Sequence, residues 1–176
     1  SAVGTNTGRA GSKTTVIAKF SQGWTLHSMM PCRPLHWLAM LVSHPIKHCR
    51  ACGAAVTYLV PVDDNRLRAV CNQCTTIHYE NPLNVVGTLP VWQDQVLLCR
   101  RNIEPRYGLW TLPAGFMELG ESTAQGALRE TEEEAGAHVE LLGLYTLLNV
   151  VKVGQVHFFY RARMLDTHLA PGPETI

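Results

Sequence analysis

The chain has 176 residues, of which 46% are apolar and 16% are charged, and its formal net charge is +1. An apolar fraction of this size supplies a hydrophobic core and excludes a largely disordered chain. No run of about eighteen apolar residues occurs, so the sequence predicts no membrane span. A net charge near zero argues against nucleic-acid binding by bulk charge. The acidic residues are unevenly placed: residues 1–62 contain none, and six of the fourteen lie between Glu118 and Glu134.

Residues 1–46 show no sustained period of 2 or 3.6, and we expect them to be unstructured. The segment is basic and contains no acidic residue, a composition that also occurs in organelle transit peptides. A tag, a leader or a misassigned start is the alternative interpretation. We therefore expect a cytoplasmic protein, with a plastid location as the alternative if this segment is a transit peptide.

Two CxxC pairs separated by eighteen residues mark residues 47–82 as a compact unit. The four residues are Cys49, Cys52, Cys71 and Cys74. Two such knuckles supply four thiolates to one tetrahedral ion, and their spacing is typical of a zinc ribbon. Disulfides or a redox-active CxxC are the alternatives. Because four thiolates leave no position for a substrate, we expect the Zn²⁺ to be structural.

The other cysteines and the histidines beside this unit are expected to have no metal role. Cys32 and Cys99 have no partner at metal spacing, and Cys99 lies in an apolar segment where burial is predicted. His48 and His78 border the unit, but four thiolates already complete the ligand set. We therefore predict that both histidines lie at the surface.

Residues 83–176 alternate strand and helix signals. Strands are predicted at 84–92, 96–101, 138–148 and 155–164, with a turn at 93–95 and an extended segment at 109–116. A helix is predicted at 122–135, ended by Gly136 as its C-terminal cap. This order predicts an α+β fold in which a mixed sheet is sandwiched by helices.

Three glutamates share one face of the predicted helix. Glu130, Glu133 and Glu134 are spaced i, i+3 and i+4, so their like charges repel one another unless a cation is bound. Divalent ions such as Mg²⁺ prefer carboxylate oxygens and bridge protein to phosphate. A solvated acidic helix is the alternative, but a single arginine, Arg129, faces five glutamates here. The sequence therefore predicts a Mg²⁺ or Mn²⁺ site, with Gly115 in a neighbouring loop leaving room for the ion.

The spacing around this helix resembles the Nudix box. All seven fixed positions match, namely Gly115, Glu121, Arg129, Glu130, Glu133, Glu134 and Gly136. Thr131 and Ala137 depart from the box at positions where the family has larger aliphatic residues, and we expect them to affect packing under the helix. Together with the cysteine pairs, the chain resembles a zinc-ribbon Nudix subgroup of bacteria and plant plastids that includes FAD pyrophosphatases. Further stretches that carry this resemblance lie at 77–82, 97–102, 108–115 and 171–174.

The resemblance implies hydrolysis of the pyrophosphate bond of a nucleoside diphosphate linked to another moiety. The substrate it favours is FAD or a related adenine dinucleotide, with release of AMP; ADP-ribose or NADH is the runner-up. A non-catalytic Nudix-like sensor, with the zinc ribbon as a docking surface, is the second class of function. The three carboxylates on the helix favour the enzyme.

The resemblance also implies roles for individual residues. Glu130 and Glu134, joined by the carbonyl of Ala114, would bind Mg²⁺ or Mn²⁺, and Glu133 would be a further ligand or would orient water. Arg129 and Glu121 would brace the loop against the helix. The general base is not identified by the sequence.

Three residues before the box are the predicted substrate-binding set: Arg101, Arg106 and Tyr107. The arginines, with Arg100, would meet a second phosphate, or they form a solvated charge group at a strand end. Tyr107 would stack on an adenine or flavin ring. Trp110 is expected in the core.

A small nucleotide is the expected partner, and a homodimer is left open. Family domains continue past the Pro-Gly-Pro-Glu stretch at 171–174 with another strand and a closing helix. We therefore expect the hydrolase domain at 83–176 to lack its last strand and helix.

Overall fold

The computed structural model describes residues 15–19, 45–104 and 106–175. They fall into two compact units. The larger unit contains strand β1 (Thr15–Lys19), residues 83–151 and residues 155–175; the cysteine unit contains residues 45–82 and 152–154. Within these ranges, no helix is long and apolar enough to cross a membrane.

The cysteine unit is built on a small antiparallel sheet. Its strands β2 (Val56–Leu59), β3 (Arg68–Cys71) and β4 (Ile77–His78) lie in that order. Ala69 and Cys71 on β3 are 1% and 2% exposed, whereas most of β2 faces solvent. So small a sheet buries little apolar surface, and this is why a unit of this size needs a further cross-link.

The larger unit is a mixed sheet with one α-helix. Its strands are β5 (Leu83–Trp92), β6 (Gln95–Arg100), β7 (Trp110–Thr111), β8 (Ala114–Phe116), β9 (Val139–Val150) and β10 (Gln155–Met164), with helix α1 (Thr123–Ala135) between β8 and β9. The main order is β1-β6-β5-β10-β9, while β7 pairs with β6 and β8 pairs with β5. The β5–β10 pair is parallel and the other pairs are antiparallel, so the predicted mixed sheet is confirmed. Of the helices predicted to sandwich it, the described part of the larger unit contains α1.

Helix α1 begins and ends where the sequence indicates. Ser122 Oγ accepts from the N–H of Gln125 at 3.3 Å, and Gln125 Oε1 accepts from the N–H of Ser122 at 2.8 Å, which completes a capping box. At the other end Gly136 takes a left-handed conformation with φ of 59°, and its N–H donates to Glu132 O at 2.7 Å. The helix is therefore fixed at both ends by its own sequence.

The core of the larger unit lies between α1 and the sheet. It contains Leu97, Cys99, Ala135, Ala137 and Met164, each at most 3% exposed. The predicted burial of Cys99 is confirmed, and burial raises the pKa of its thiol to about 12. Ala137, one departure from the Nudix box, belongs to this core.

The other departure, Thr131, is fully buried under α1. Its hydroxyl donates to Ala127 O at 2.7 Å and shares a 2.6 Å hydrogen bond with the hydroxyl of Thr88 on β5. Both polar groups are therefore satisfied inside the core. Threonine at position 131, where the family has a larger aliphatic residue, is therefore accommodated by Thr88, which lies 43 positions earlier in the chain.

Three expectations from the sequence differ from the structure. Residues 15–19, within the segment expected to be unstructured, form β1 and pair with β6, which a five-residue strand is too short to reveal by period. Trp110, expected in the core, is 46% exposed because β7 is two residues long and pairs only with β6. His78, expected at the surface, is 9% exposed. Cys32 lies outside the described residues.

Candidate active site and metal centre

Arg129 is the centre of the acidic cluster on α1. Its Nε and Nη2 donate to the two carboxylate oxygens of Glu121 at 3.0 and 2.8 Å. Its Nη1 donates to Glu130 Oε1 at 2.7 Å and to Glu133 Oε2 at 2.9 Å. Its Nη2 also donates to the carbonyl of Phe116 at 3.1 Å. One guanidinium thus joins the helix to the loop that precedes it, as the resemblance implies.

Glu121 is the anchor of that loop. Its carboxylate accepts from Arg129 at both oxygens and from the N–H of Glu118 at 2.7 Å. The hydrogen bonds from Arg129, followed by the one from Glu118, lower the pKa of Glu121 to about 2. Glu121 therefore stays ionised over the physiological range and does not exchange protons during a reaction near neutral pH.

Strand β8 packs closely against the carboxylates of the helix. The N–H of Ala114 donates to Glu134 Oε2 at 3.0 Å. A Cβ atom at Gly115 would overlap the carboxylate of Glu130. Glycine at this position therefore makes room for the glutamate itself, in addition to any ion that the glutamate holds.

The three glutamates have different surroundings. Glu130 is 9% exposed, and burial raises its pKa. Glu134 is partly buried, and its pKa rises to about 7 through burial and through the negative charges of Glu130 and Glu174, against the opposing effect of the Ala114 N–H. The Glu133 side chain is 59% exposed. Two of the three carboxylates thus lie where their negative charge is poorly solvated.

These carboxylates fit a hard divalent cation. Glu130, Glu133 and Glu134 each have one oxygen in a hydrogen bond from Arg129 or Ala114, which leaves the second oxygen for a further partner. A cation would also relieve the mutual repulsion of Glu130 and Glu134. In the described ranges, however, the cysteine cluster alone brings three or more such ligand atoms within 4.8 Å of one another. The glutamates are therefore an open set of ligands.

The four predicted zinc ligands come together. The Sγ atoms of Cys49 and Cys74 are 3.6 Å apart, those of Cys52 and Cys71 are 3.4 Å apart, and those of Cys52 and Cys74 are 3.5 Å apart. Around Zn²⁺ with Zn–S bonds of about 2.3 Å, the edge of a tetrahedron is about 3.8 Å. These sulfur separations are far longer than a disulfide bond and fit a single tetrahedral ion.

Backbone N–H groups prepare these sulfurs to bind a cation. The N–H of Ala51 donates to Cys49 Sγ at 3.3 Å, and the N–H of Cys74 donates to Cys71 Sγ at 3.3 Å. The Cys74 N–H lowers the pKa of Cys71, and hydrogen bonds from Thr76 lower the pKa of Cys74 to about 6. Thiolates are the form that binds metal, so these hydrogen bonds favour the binding state of Cys71 and Cys74. Against the lowering effect of the Ala54 N–H, the thiols of Cys71 and Cys74 raise the pKa of Cys52 to about 12.

The predicted substrate-binding residues lie on one tight loop between β6 and β7. The N–H of Arg101 donates to Leu109 O at 3.0 Å, and Arg101 O accepts from the N–H of Gly108 at 2.8 Å. Arg106 adopts a φ of 69°, and its side chain, like that of Tyr107, is exposed. Arg101 is also close enough to Glu134 for its positive charge to act on that carboxyl. The loop therefore lies beside the acidic cluster.

Sequence reasoning missed two residues near this cluster. Glu174 contributes negative charge to the surroundings of both Glu130 and Glu134. Asn102 binds the chain around Glu174, donating from its N–H to Glu174 O at 2.8 Å and from Nδ2 to Pro173 O at 2.9 Å. The sequence signal that could have identified these residues is the Pro-Gly-Pro-Glu stretch at 171–174, which contributes to the family resemblance but was given no role in the sequence analysis.

Two family models match adjacent parts of the chain. The NUDIX domain model matches residues 82–174, which contain the acidic cluster, the loop and β8. The chain belongs to the Nudix hydrolase family. A second model, described as Nudix N-terminal and named for a zinc ribbon, matches residues 47–80. This confirms the predicted zinc-ribbon subgroup.

Known Nudix proteins resemble the chain to different extents. An NAD-capped RNA hydrolase of Vibrio vulnificus is 31% identical over 136 residues, which cover 69% of this chain and 49% of that protein. The human 8-oxo-dGDP phosphatase NUDT18 is 44% identical over 73 residues, which cover 40% of this chain and 22% of that protein. The matches to NAD-capped RNA hydrolases of Photobacterium profundum, Vibrio vulnificus and Vibrio parahaemolyticus cover 35%, 49% and 50% of those proteins. The chain thus spans at most about half of these relatives.

A solved Nudix structure supports the architecture more fully. The crystal structure of a NUDIX hydrolase from Nitrosomonas europaea is 46% identical to the chain, with a TM-score of 0.72. The match covers 74% of each chain. The fold described above is therefore found in a homologous Nudix hydrolase.

Proposed function

We propose that the chain is a divalent-metal-dependent hydrolase that cleaves the pyrophosphate bond of a nucleoside diphosphate linked to another moiety. The observation that carries the proposal is the pair of poorly solvated carboxylates, Glu130 and Glu134, beside the close-packed Gly115. Arg129 holds the first carboxylate, and the N–H of Ala114 holds the second. A purely structural helix would gain nothing from like charges in these surroundings, whereas a bound cation offsets them. The same arrangement argues against a sensor without catalytic activity.

Each residue of the acidic cluster has a proposed task. Glu130, Glu133 and Glu134, with the carbonyl of Ala114, would hold Mg²⁺ or Mn²⁺. The ion would neutralise phosphate oxygens and acidify a bound water. Arg129 and Glu121 hold the carboxylates and the preceding loop in fixed positions, which is the contribution of preorganisation to the rate.

The loop between β6 and β7 is the proposed substrate-binding element. The guanidinium groups of Arg101 and Arg106 would contact the second phosphate, because arginine matches phosphate geometry with paired donors. Tyr107 is 57% exposed, so one face of its ring is free to stack on a base. Trp110, exposed on the adjoining β7, offers a second aromatic ring that the sequence analysis placed in the core.

We propose FAD or a related adenine dinucleotide as the substrate, with AMP as one product. The match to hydrolases of NAD-capped RNA supports this class, since NAD is itself an adenine dinucleotide. The same match makes a dinucleotide attached to RNA a further candidate substrate. A net charge of +1 argues only against binding of nucleic acid by the overall charge of the chain. ADP-ribose remains the runner-up.

Zn²⁺ is proposed as a structural ion of the ribbon, held by Cys49, Cys52, Cys71 and Cys74. The four sulfurs form a closed set, so no coordination position is left for a substrate. The metal of the ribbon and the metal of the helix would therefore have separate tasks.

A substrate panel tests the proposed function. The zinc-loaded chain is assayed with Mg²⁺ or Mn²⁺ on FAD, NADH, ADP-ribose, NAD-capped RNA and 8-oxo-dGDP, and products are separated by chromatography. We expect the highest kcat/KM on a dinucleotide, with AMP as a product, because selectivity lies in transition-state binding. Turnover confined to 8-oxo-dGDP, with release of inorganic phosphate, would contradict the proposal.

A further inference from the structure

The 170–175 segment lies against the end of the helix that carries the glutamates. The N–H of Ala170 donates to Ala135 O at 2.8 Å, and the N–H of Gly172 donates to Glu134 O at 3.2 Å. These carbonyls belong to the last turn of α1 and have no partner within the helix. The segment therefore satisfies and fixes the helix end beside Glu133 and Glu134.

Gly172 sets the distance between the segment and the helix. A Cβ atom at this position would overlap the carbonyl oxygen of Glu133. That oxygen belongs to helical backbone, which cannot move aside as the end of a flexible side chain does. Any larger residue at 172 must therefore displace either the segment or the last turn of α1.

The other end of the segment is attached to the substrate-binding loop. Asn102 donates from its N–H to Glu174 O and from Nδ2 to Pro173 O, and Arg101 forms a β-bridge with Thr175. Thr175 is 1% exposed, so the β-bridge is buried, whereas the bond from Asn102 Nδ2 to Pro173 is exposed. Arg101 in turn holds the loop through its backbone bonds to Gly108 and Leu109.

We propose that the 170–175 segment positions the substrate-binding loop relative to the carboxylates of α1, with Asn102 and Gly172 as its positioning residues. This inference rests on the function proposed above. Pyrophosphate cleavage requires the phosphate held by the loop to lie at a fixed distance from the metal ligands, and a small misplacement costs much of the rate. The segment spans these two elements directly, through hydrogen bonds to both.

Asn102→Ala is the main variant. It removes the Nδ2 bond to Pro173 but keeps the backbone bond to Glu174, so the fold is retained. We expect KM for FAD to rise and kcat/KM to fall by about tenfold to a hundredfold, since a displaced binding group reduces both binding and reaction. Affinity for Mn²⁺ should change by less than about twofold, because no carboxylate has moved. Asn149→Ala, on an exposed position of β9, is the matched control and should retain wild-type kinetics.

Hydrogen exchange of the metal-free chain gives a readout that needs no activity. In Asn102→Ala, the amides of Gly108 and Leu109 should exchange faster than in the wild type and in Asn149→Ala. Gly172→Ala should accelerate exchange at Ala170 and also at the loop, because it separates the segment from the helix. The proposal predicts that disturbance of the segment at its helix end, in Gly172→Ala, reaches the loop at its other end.

The outcomes separate the two proposals. If no substrate in the panel is cleaved but exchange at the loop and at Ala170 responds as expected, the positioning role stands and the proposed function fails. If FAD is cleaved but Asn102→Ala matches Asn149→Ala in kinetics and exchange, the positioning role is overturned. A folded Gly172→Ala with unchanged exchange at the loop overturns it as well.

Discussion

The candidate metal ligands are arranged differently in the cysteine unit and on the acidic helix. The four sulfurs of the ribbon already lie within 4.8 Å of one another, whereas the glutamates of α1 are held separately by Arg129 and by the N–H of Ala114. A closed set of ligands stabilises a fold, and an open set leaves positions for water and substrate. We therefore expect the ribbon to need its ion to fold and the helix to be folded before its ion binds.

Loss of the ribbon ligand Cys71 should have the largest effect. Cys71→Ser removes one thiolate from a site whose binding free energy is about 10–16 kcal/mol in small zinc domains. We expect loss of stoichiometric zinc and unfolding of residues 45–82, measured by metal analysis and hydrogen exchange. Cys99→Ser, outside the cluster, is the control for zinc content. If Cys71→Ser kept one zinc per chain, the four thiolates would not form the closed site that distinguishes the ribbon from the helix.

Loss of a helix carboxylate should abolish activity without unfolding the chain. Glu134→Gln keeps the size of the side chain and removes one charged ligand, so we expect kcat to fall by about a hundredfold to a thousandfold. Glu133→Gln should act in the same direction. The circular dichroism spectrum and the unfolding midpoint should show an intact fold. Near wild-type turnover at saturating Mg²⁺ would show that the glutamates are not the metal site.

The stability of the metal-free chain should report the burial of Glu134. Its folded pKa of about 7 lies above the ordinary value of 4.5, so its stabilising contribution is complete below pH 4.5 and is lost as pH rises through 7. The effect is at most about 3 kcal/mol, the equivalent of the shift in pKa. Glu121 acts in the opposite sense: its depressed pKa gives stability above pH 4.5 that is lost as pH falls towards 2.

Urea unfolding of the metal-free chain at pH 5.5 and pH 8 measures this dependence. The wild type should lose stability between these values relative to Glu134→Gln, which cannot ionise. Saturating Mg²⁺ should reduce the difference, because the ion stabilises the ionised carboxylate. Equal pH dependence in the two proteins would contradict the assigned burial of Glu134.

The smallest effect concerns the pair of threonines under α1. Thr88→Val leaves the hydroxyl of Thr131 without one partner and should cost about 1–2 kcal/mol of unfolding free energy. The double variant Thr88→Val and Thr131→Val should recover much of this loss, because two apolar groups of the same shape replace the pair. A double-mutant cycle with additive costs would show that the hydroxyls are not coupled. These variants keep all the candidate metal ligands, so the experiment tests only the packing beneath α1.

Local signals in the sequence predicted much of the structure. Gly136, predicted as the C-terminal cap, ends α1 in a left-handed conformation, and the turn predicted at 93–95 separates β5 from β6. The cysteine spacing predicted four sulfurs around one point, and the structure brings them together there. These features depend on residues close together in the chain, where spacing carries the geometry.

Contacts between distant residues could not be predicted in the same way. The bond from Asn102 to Pro173 spans 71 positions, and the pairing of Thr88 with Thr131 spans 43. The burial of His78, whose Nε2 is buried without a hydrogen-bond partner, depends on the packing of β4, which two residues do not reveal. A single sequence contains no signal for such pairs until the fold brings them together.

Anomalous diffraction from crystals of the zinc-loaded chain soaked with Mn²⁺ and a non-hydrolysable analogue of an adenine dinucleotide tests the central claim most directly. The account predicts a zinc peak among Cys49, Cys52, Cys71 and Cys74, and a manganese peak that contacts Glu130, Glu134 and the phosphates of the analogue. A manganese peak elsewhere, with the analogue bound away from α1, would contradict it.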